Sequence, residues 1–199
     1  MNDTTLEQQL TAVPVEDLRP PTFPSADVAY VVDDTAVGRI LLARNAWGAL
    51  VASRYVTDDA AVDRVLDRLA HTVSPRVLRS PAALDEPRRQ LDDFLAGRRH
   101  DFDLQVDLAL MTPFQRSVLT TLARTVGYGA RQTYGGLARA IDRPTASRAV
   151  GAALGANPLC IVVPCHRVVG SHGALTGYAG GFAAKKYLLD LETPSSVPS

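Results

Sequence analysis

Residues 157–169 read Asn-Pro-Leu-Cys-Ile-Val-Val-Pro-Cys-His-Arg-Val-Val, an apolar run that Pro164 stops and that a thiol and an imidazole follow at once. Because proline has no N–H to donate to a sheet ladder, the pattern predicts a buried strand over the three residues before it. The turn after this strand would present Cys165 beside His166 and Arg167, two groups able to lower the pKa of a thiol. The stretch therefore predicts a nucleophilic cysteine at the end of a strand.

The chain has two cysteines, and the sequence favours a different interpretation for each. Free cysteine is among the most buried residue types, and Cys160 stands inside the apolar run, so we expect it to pack in the core. The neighbours of Cys165 are polar and ionisable, which is unusual for a core position. Cys165 is the candidate nucleophile, with plain core packing as the alternative.

Composition limits the classes of protein to which the chain can belong. Its 199 residues are 46% hydrophobic, which suffices for one or two small domains. Two cysteines close in sequence and four scattered histidines indicate neither a disulfide framework nor a metal site, and we expect no cofactor. The N-terminus lacks the apolar segment of a signal peptide, and no apolar run is long enough to span a bilayer. We expect a cytoplasmic protein, associated with the nucleoid in a bacterium, with no membrane partner.

Charge is divided unevenly along the chain although the net charge is zero. Residues 112–189 hold nine basic side chains and one acidic side chain, whereas the rest of the chain holds twelve basic and twenty acidic ones. A basic half that contains the candidate nucleophile predicts an anionic partner, and DNA is the commonest such partner. A chance imbalance between two domains is the alternative.

The pattern of elements predicts five segments. Residues 1–26, rich in proline, favour a disordered tail, and residues 194–199 form a second tail. Residues 27–97 are expected to form an α/β domain, residues 98–111 a linker, and residues 112–193 a mostly α-helical domain.

The first domain is predicted from alternating and helical periodicity. β-rich runs at 29–32, 38–43 and 49–55 indicate a small antiparallel sheet. Apolar spacing then predicts helices over 59–70 and 87–95, packed on that sheet.

The second domain opens with a strong helix start at Thr112, with proline next and Gln115 three residues after the cap. The buried stripe of this helix is predicted to be Phe114, Val118, Leu119 and Leu122. Further on, two short helices flank a break at residues 142–144, and Thr145 would cap the second of them. This arrangement suggests a helix-turn-helix motif.

The second of these helices is predicted to have a nearly bare outer face. Ala146, Ala149, Val150, Ala153 and Leu154 would pack inward, and the opposite stripe is Arg148, Gly151, Ala152 and Gly155. Interior glycines destabilise a helix, so the bare face favours close approach to another surface, such as a narrow nucleic-acid groove. Packing against the domain's own body is the alternative.

A glycine-rich segment, residues 170–181, precedes a last predicted helix over Phe182–Glu192. It lacks the Gly-Lys-Ser/Thr ending of a phosphate-binding P-loop. Because it lies between the nucleophile and the last helix, it is a candidate wall for a substrate pocket.

These motifs together resemble the O6-alkylguanine-DNA alkyltransferases, also called methylated-DNA-protein-cysteine methyltransferases. The matching motifs, which run from about Arg98 to Glu192, are Thr112-Pro113-Phe114-Gln115, Tyr134-Gly135, Ser147-Arg148-Ala149-Val150-Gly151, Asn157-Pro158, Ile161 to Val169 and Tyr178-Ala179-Gly180-Gly181. The resemblance implies a variable, ribonuclease-H-like α/β N-terminal domain and a C-terminal DNA-binding and alkyl-acceptor domain.

The resemblance also implies a role for individual residues. Cys165 would accept the alkyl group, with His166 as its base through a bridging water and Glu192 orienting the histidine. Tyr134 would donate a hydrogen bond to the leaving guanine, and Arg148 would fill the base stack after nucleotide flipping.

Two further sets of residues follow from the same resemblance. The DNA-binding set also includes Arg131, Thr145, Ser147, Gly151, Ala152 and Tyr134. The substrate-pocket set is Asn157, Cys160, Val168, Tyr178, Ala179, Gly180 and Lys185, with Asn157 also a structural hinge and Arg167 a buried structural arginine. Ala179 and Cys160 stand where the family often has serine and proline, which leaves the range of substrates open.

By resemblance, the partner is double-stranded DNA bound through the minor groove by a monomer, with cooperative binding left open. The thiolate would take a methyl or larger alkyl group from O6-alkylguanine, with O4-alkylthymine as a further substrate, once per molecule. Two alternatives remain at this stage. A non-catalytic lesion sensor would bind alkylated DNA without transfer, and a cysteine hydrolase would use Cys165 and His166 over many turnovers.

Overall fold

The computed structural model describes residues 27–193, so both predicted tails, 1–26 and 194–199, lie outside the described residues. Three consecutive antiparallel strands open the chain: β1 (Val28–Thr35), β2 (Gly38–Asn45) and β3 (Leu50–Tyr55). A short fourth strand, β4 (Val77–Arg79), pairs in parallel with β1, and the strand order is β3-β2-β1-β4. The prediction of an antiparallel sheet is therefore wrong at one edge, because the three residues of β4 are too few to give a periodic signal.

Both faces of this sheet are buried, and the alternation of side chains along β2 shows how. Ile40 and Leu42 belong to one apolar cluster, while Leu41 and Ala43 belong to another. Successive side chains of a strand point to opposite faces, so each cluster fills one side of the sheet. The helix α1 (Asp59–Thr72) packs on the second cluster through Val62 and Leu69.

The helices of the first part begin and end close to their predicted bounds. Asp58 caps α1, its Oδ1 accepting from Ala61 N at 2.7 Å. A turn of 3-10 helix, Pro81–Leu84, leads into α2 (Asp85–Leu95), which buries Leu91 and Phe94 in the first cluster. Residues 98–111 then run along the sheet, and Leu50 N donates to Gln105 O at 2.8 Å.

The predicted capping box at the start of α3 (Pro113–Thr125) is confirmed. Thr112 Oγ1 accepts from Gln115 N at 3.3 Å, and Gln115 Oε1 accepts from Thr112 N at 3.0 Å. Val118, Leu119 and Leu122 are buried as predicted, and Phe114 is half-buried.

Two short helices follow, α4 (Tyr134–Ala140) and α5 (Ser147–Gly155), separated by residues 141–146. The prediction that Thr145 caps α5 is wrong: Ala146 holds the N-cap position and makes no side-chain cap. Ala149 was expected to face inward but is exposed, whereas Val150, Ala153 and Leu154 are buried as predicted. The buried stripe is therefore narrower than predicted and follows the i, i+3, i+4 spacing of Val150, Ala153 and Leu154.

The strand predicted over Ile161–Val163 is absent, and a compact turn takes its place. Ile161 has a φ of +72°, in the left-handed region that an extended strand does not use, and Val163 N donates to Leu159 O at 2.7 Å. The turn is attached to β3 because Cys160 N donates to Ser53 O at 2.8 Å and Ser53 N donates to Pro158 O at 2.7 Å.

The chain then makes one turn of 3-10 helix at Cys165–Arg167, followed by β6 (Val168–Val169), which pairs with β5 (Gln132–Thr133). The last helix, α6 (Gly181–Leu191), starts and ends one residue earlier than predicted. Among residues 27–193, no helix has both the length and the apolar character needed to cross a membrane.

Candidate active site

Asn157 organises the segment that carries the candidate nucleophile. Its side chain is fully buried, and its Oδ1 accepts from Leu159 N at 2.9 Å. Its Nδ2 donates to Val163 O at 3.0 Å and lies 3.2 Å from Cys165 Sγ, which accepts its second hydrogen. One amide therefore closes the turn and holds the sulfur in place.

The surroundings of Cys165 favour its thiolate. A hydrogen bond from the Cys160 thiol lowers the pKa of Cys165, burial opposes this, and the Asn157 amide and the Lys185 ammonium lower the pKa further. The net direction is downward from the ordinary value of 9.0. The same pairing and burial raise the pKa of Cys160, which stays a thiol and can donate. Cys160 Sγ also lies 3.5 Å from Asn157 O, so its S–H has two acceptors within reach.

The source of this effect differs from the one that the sequence predicts. His166 and Arg167 were expected to lower the pKa of the thiol, but both are directed at Glu192 instead. The cation that acts on the sulfur is Lys185, which is 1% exposed and whose Nζ donates to Val168 O at 2.6 Å and Thr176 O at 3.2 Å. Neighbours in a 3-10 turn point in different directions, so proximity in sequence is a poor guide here.

Glu192 lies at the centre of a buried charged network. Its Oε1 is 2.8 Å from His166 Nε2, and Arg167 donates to both carboxylate oxygens at 2.8–3.1 Å. Arg167 Nη1 also donates to Val126 O at 2.9 Å, and Gly129 N donates to Glu192 Oε2 at 3.2 Å. Burial alone would raise the pKa of Glu192, but the hydrogen bonds from His166 and Arg167 lower it to about 2. The carboxylate is therefore ionised at neutral pH.

His166 is fully buried and neutral at neutral pH. Burial lowers its pKa, and Glu192 counteracts only part of that shift. Since ionised Glu192 only accepts hydrogen bonds, Nε2 carries the hydrogen and Nδ1 carries a lone pair. Nδ1 is the one buried side-chain nitrogen or oxygen within residues 27–193 that has no hydrogen-bond partner. It is available to accept a proton.

The sulfur of Cys165 opens onto a cavity of about 270 Å³. The cavity is lined by Tyr134, Leu154, Gly155, Cys165, Gly177, Tyr178 and Ala179. Thr176 Oγ1 donates to Tyr134 Oη at 2.9 Å, which leaves the phenolic hydrogen of Tyr134 free to donate. Such a cavity, with a thiol on one wall and two tyrosines, suits one flat polar group.

Six of the seven predicted substrate-pocket residues fall into two groups in the structure. Tyr178 and Ala179 line the cavity, as the resemblance implies. Asn157, Cys160, Val168 and Lys185 are buried behind Cys165 and support it.

Gly180, also placed in the pocket set, lies elsewhere: a Cβ atom there would be 2.5 Å from Tyr55 Cζ, so this backbone packs on the ring of Tyr55. The sequence missed Leu154, Gly155, Gly177 and the contact of Tyr55 Oη with Tyr178 Oη at 3.3 Å. Gly177 belonged to the glycine-rich segment already suspected of lining a pocket, whereas nothing local marks Tyr55.

Most of the predicted DNA-binding residues lie on α5 or just before it, and Tyr134 lines the cavity. Arg131 instead precedes β5, and its Nη2 donates to Thr193 Oγ1 at 3.4 Å. Arg131, Thr145, Arg148 and Ala152 are exposed, and Ser147 and Gly151 are half-buried. A Cβ atom at Gly151 would lie 3.7 Å from the Tyr134 ring, an ordinary contact, so the fold itself does not require glycine there. Gly155, one turn further on, lines the cavity, which places the exposed face of α5 next to its opening.

Comparison with known proteins agrees with this geometry. A family model described as "6-O-methylguanine DNA methyltransferase, DNA binding domain" matches residues 113–194. The inducible methylated-DNA–protein-cysteine methyltransferase of Bacillus subtilis (strain 168) is 48% identical over 107 residues, which span 54% of this chain and 59% of that protein. The methylated-DNA–protein-cysteine methyltransferase of Mycolicibacterium paratuberculosis is 46% identical over 120 residues, or 60% of this chain and 72% of the relative.

A solved structure extends the similarity to the N-terminal sheet. The crystal structure of Mycobacterium tuberculosis OGT in complex with DNA matches with a TM-score of 0.69 and 36% identity. The match covers 82% of this chain and 92% of that one. The small mixed sheet and the helices are therefore shared as well as the segment around the thiol.

Proposed function

This chain belongs to the methylated-DNA–protein-cysteine methyltransferase family, and from that premise we propose that it repairs DNA by taking a methyl or larger alkyl group from O6-alkylguanine onto Cys165 Sγ. The observation that carries the proposal is the position of Cys165. Its sulfur borders a base-sized cavity on one side and a thiolate-favouring set of Cys160, Asn157 and Lys185 on the other.

The reaction is a single displacement. The thiolate of Cys165 attacks the alkyl carbon, an S–C bond forms, and the C–O6 bond breaks with its electron pair leaving on the guanine. The proton of the thiol passes to His166 Nδ1 through a bridging water, and Glu192 stabilises the imidazolium that results. The unpartnered lone pair on Nδ1 supports this assignment, as does the hydrogen bond that fixes Nε2–H on Glu192.

Tyr134 stabilises the leaving base. Negative charge develops on the guanine as the C–O6 bond breaks, and a neutral phenol on the cavity wall can donate to it. Thr176 already donates a hydrogen bond to the phenolic oxygen of Tyr134, so the phenolic hydrogen remains free to donate to the guanine. The guanine leaves as an anion that accepts this hydrogen bond, and it takes up a proton from water to give unmodified guanine, while the imidazolium of His166 returns its proton to water.

DNA binds at the α4–α5 pair, which acts as a helix-turn-helix with α5 in the minor groove. The exposed Arg148 enters the stack where the flipped nucleotide was, and the small side chains Gly151, Ala152 and Gly155 allow close approach. The basic character of residues 112–189 supports this orientation. Residues 112–193 form the DNA-binding and acceptor unit in this proposal, and residues 27–97 form a ribonuclease-H-like supporting unit.

The protein acts once per molecule, because a thioether has no good leaving group and the site offers no nucleophile to remove the alkyl group. Incubation with duplex DNA containing O6-methylguanine is expected to add the mass of one methyl group to the intact protein. Peptide mapping places that mass on Cys165.

The Cys165→Ser protein tests the assignment of the acceptor. We expect it to fold, to bind the same duplex and to gain no mass. Binding of methylated DNA by the unaltered protein without any gain of mass would identify a lesion sensor and refute the proposal. Repeated product release with a free Cys165 thiol at the end would equally refute it.

A further inference from the structure

A second cavity, of about 370 Å³, lies between β3, α1 and Pro158. It does not include Cys165, but it borders the acceptor site through Tyr55, whose hydroxyl contacts Tyr178. Three arginines line it: Arg54 from β3, and Arg64 and Arg68 from α1. Among residues 27–193, no acidic side chain lines it, and Val65, Leu110 and Pro158 form an apolar part of its wall. We call it the arginine cavity.

The hydrogen bonds of these arginines leave most of their donors free. Arg54 Nη1 donates to Asn157 O at 3.0 Å, and Arg68 Nη2 donates to Leu110 O. Arg64 makes no hydrogen bond or ion pair with any residue in the described range 27–193. A guanidinium has five N–H donors, so at least two of the three groups can turn several donors toward a ligand.

Asp58 is an acidic residue that attracts Arg64 without forming an ion pair with it. Its oxygens accept from Ala61 N at 2.7 Å and from Thr57 Oγ1 at 2.9 Å, and its single negative charge offsets only part of the charge of three arginines. The one acid that pairs at this end of α1, Asp59, binds Arg39 at 2.9 Å. The positive charge of the cavity is thus not matched by a carboxylate on its wall.

The spacing of the two α1 arginines has a cost for the helix. Arg64 and Arg68 are four residues apart, where like charges face each other and destabilise a helix. With Arg54 on the facing strand, three guanidinium groups converge on one concave site. Planar guanidinium forks match the oxygens of a phosphate in bidentate hydrogen bonds.

We infer that the arginine cavity binds a phosphate group, with the apolar wall of Val65, Leu110 and Pro158 receiving the remainder of the ligand. The phosphate belongs either to a free nucleotide or to the backbone of bound DNA. This site is separate from the alkyl-acceptor chemistry and stands whether or not Cys165 accepts a methyl group.

Titration calorimetry of the full chain with inorganic pyrophosphate and with dAMP, in a chloride buffer of low ionic strength, tests the inference. Saturable binding of at least one probe is expected. Arg64→Gln and Arg68→Gln should each weaken it by roughly tenfold or more, since each removes a charged hydrogen-bond donor. Arg54 is not a clean test because it also holds the carbonyl of Asn157.

Arg79→Gln is the matched control, since it removes the same charge from an exposed position on β4 outside the cavity. Absence of saturable binding for both probes, or an equal loss in Arg79→Gln, would overturn the inference. At saturating duplex, Arg64→Gln should keep the wild-type rate of methyl transfer, because Arg64 does not line the cavity of Cys165. If Arg64→Gln also loses its cooperative unfolding, Arg64→Lys decides the result, because it keeps the charge and should weaken binding only through loss of the planar guanidinium fork.

Competition with undamaged duplex DNA identifies the source of the phosphate. Displacement of the probe by the duplex assigns the cavity to the DNA backbone and supports the site. A probe that stays bound at saturating duplex assigns it to a free nucleotide and supports the site equally.

Discussion

Replacing Glu192 with glutamine should remove a pH-dependent part of the stability of the protein. The pKa of this carboxyl is about 2 in the folded chain against an ordinary value of 4.5. Each pKa unit corresponds to about 1.4 kcal/mol, so ionised Glu192 contributes about 3 kcal/mol to the free energy of unfolding at pH 7. This magnitude agrees with the ~3–5 kcal/mol typical of breaking a buried ion pair, here by leaving Arg167 without its carboxylate.

The sign follows from a depressed folded-state pKa. The contribution is complete above the unfolded value of 4.5 and is lost as pH falls toward 2. The Glu192→Gln protein should therefore be about 3 kcal/mol less stable than the unaltered protein at pH 7 but only about 1 kcal/mol less stable at pH 3.

Urea unfolding followed by circular dichroism at both pH values measures the two differences. Asp34→Asn, at an exposed position of β1, is the control for loss of a carboxylate without a buried network. An equal stability of Glu192→Gln and the unaltered protein at pH 7, or a deficit that does not shrink at pH 3, would refute the assignment of the charge network.

Three other expectations concern the surroundings of the sulfur. Cys160→Ala should raise the pKa of Cys165, so that the midpoint of its reactivity with iodoacetamide moves to higher pH. Cys160→Ser keeps a hydrogen-bond donor and should move this midpoint less. An unmoved midpoint in the alanine variant would contradict the pairing of the thiols. Gly180→Ala should lower the free energy of unfolding by about 1–3 kcal/mol in urea, because its Cβ would lie 2.5 Å from the Tyr55 ring. The same substitution should cost little when it is made in the Tyr55→Ala protein, and an equal cost in both backgrounds would contradict this clash. Tyr55→Ala should widen the cavity by releasing Tyr178, so that transfer from a larger O6 adduct is favoured relative to methyl; an unchanged ratio of the two rates would exclude this role.

Sequence reasoning succeeded where structure depends on a few adjacent residues. The capping box of α3 needs only Thr112 and Gln115 three residues apart, and the alternation of β2 is visible in its own residues. It failed where a distant part of the chain decides. The strand β4 exists because β1 is available to pair in parallel, and the turn at Ile161 replaces a strand because Asn157 and Ser53 bind its backbone.

The candidate site likewise has one feature that adjacent residues reveal and another that depends on distant parts of the chain. The motif around Cys165 predicts the nucleophile, since a thiol and an imidazole beside a proline are recognisable locally. The pKa of that thiol depends instead on the charges and hydrogen bonds that the fold brings near it. Lys185 lies twenty positions along the chain on α6, while Arg167, two positions away, is fully engaged by Glu192. Adjacency along the chain therefore predicts a nucleophile at Cys165 but not the groups that set its pKa.

Strand β3 is what makes the N-terminal sheet a part of the acceptor site. Ser53 binds the turn through its backbone and donates from Oγ to Cys160 O at 2.9 Å, Arg54 donates to Asn157 O, and Tyr55 contacts Tyr178. Three consecutive residues thus fix the nucleophile's supporting amide, its neighbouring thiol and the wall of its cavity. A displacement of β3 has to move the support of the sulfur and the cavity wall together. The turn and Asn157 are hydrogen-bonded to this strand, and so is Tyr178 on the cavity wall. Such a rigid attachment favours the proposed single displacement, because the attacking sulfur must stay in line with the C–O6 bond that breaks.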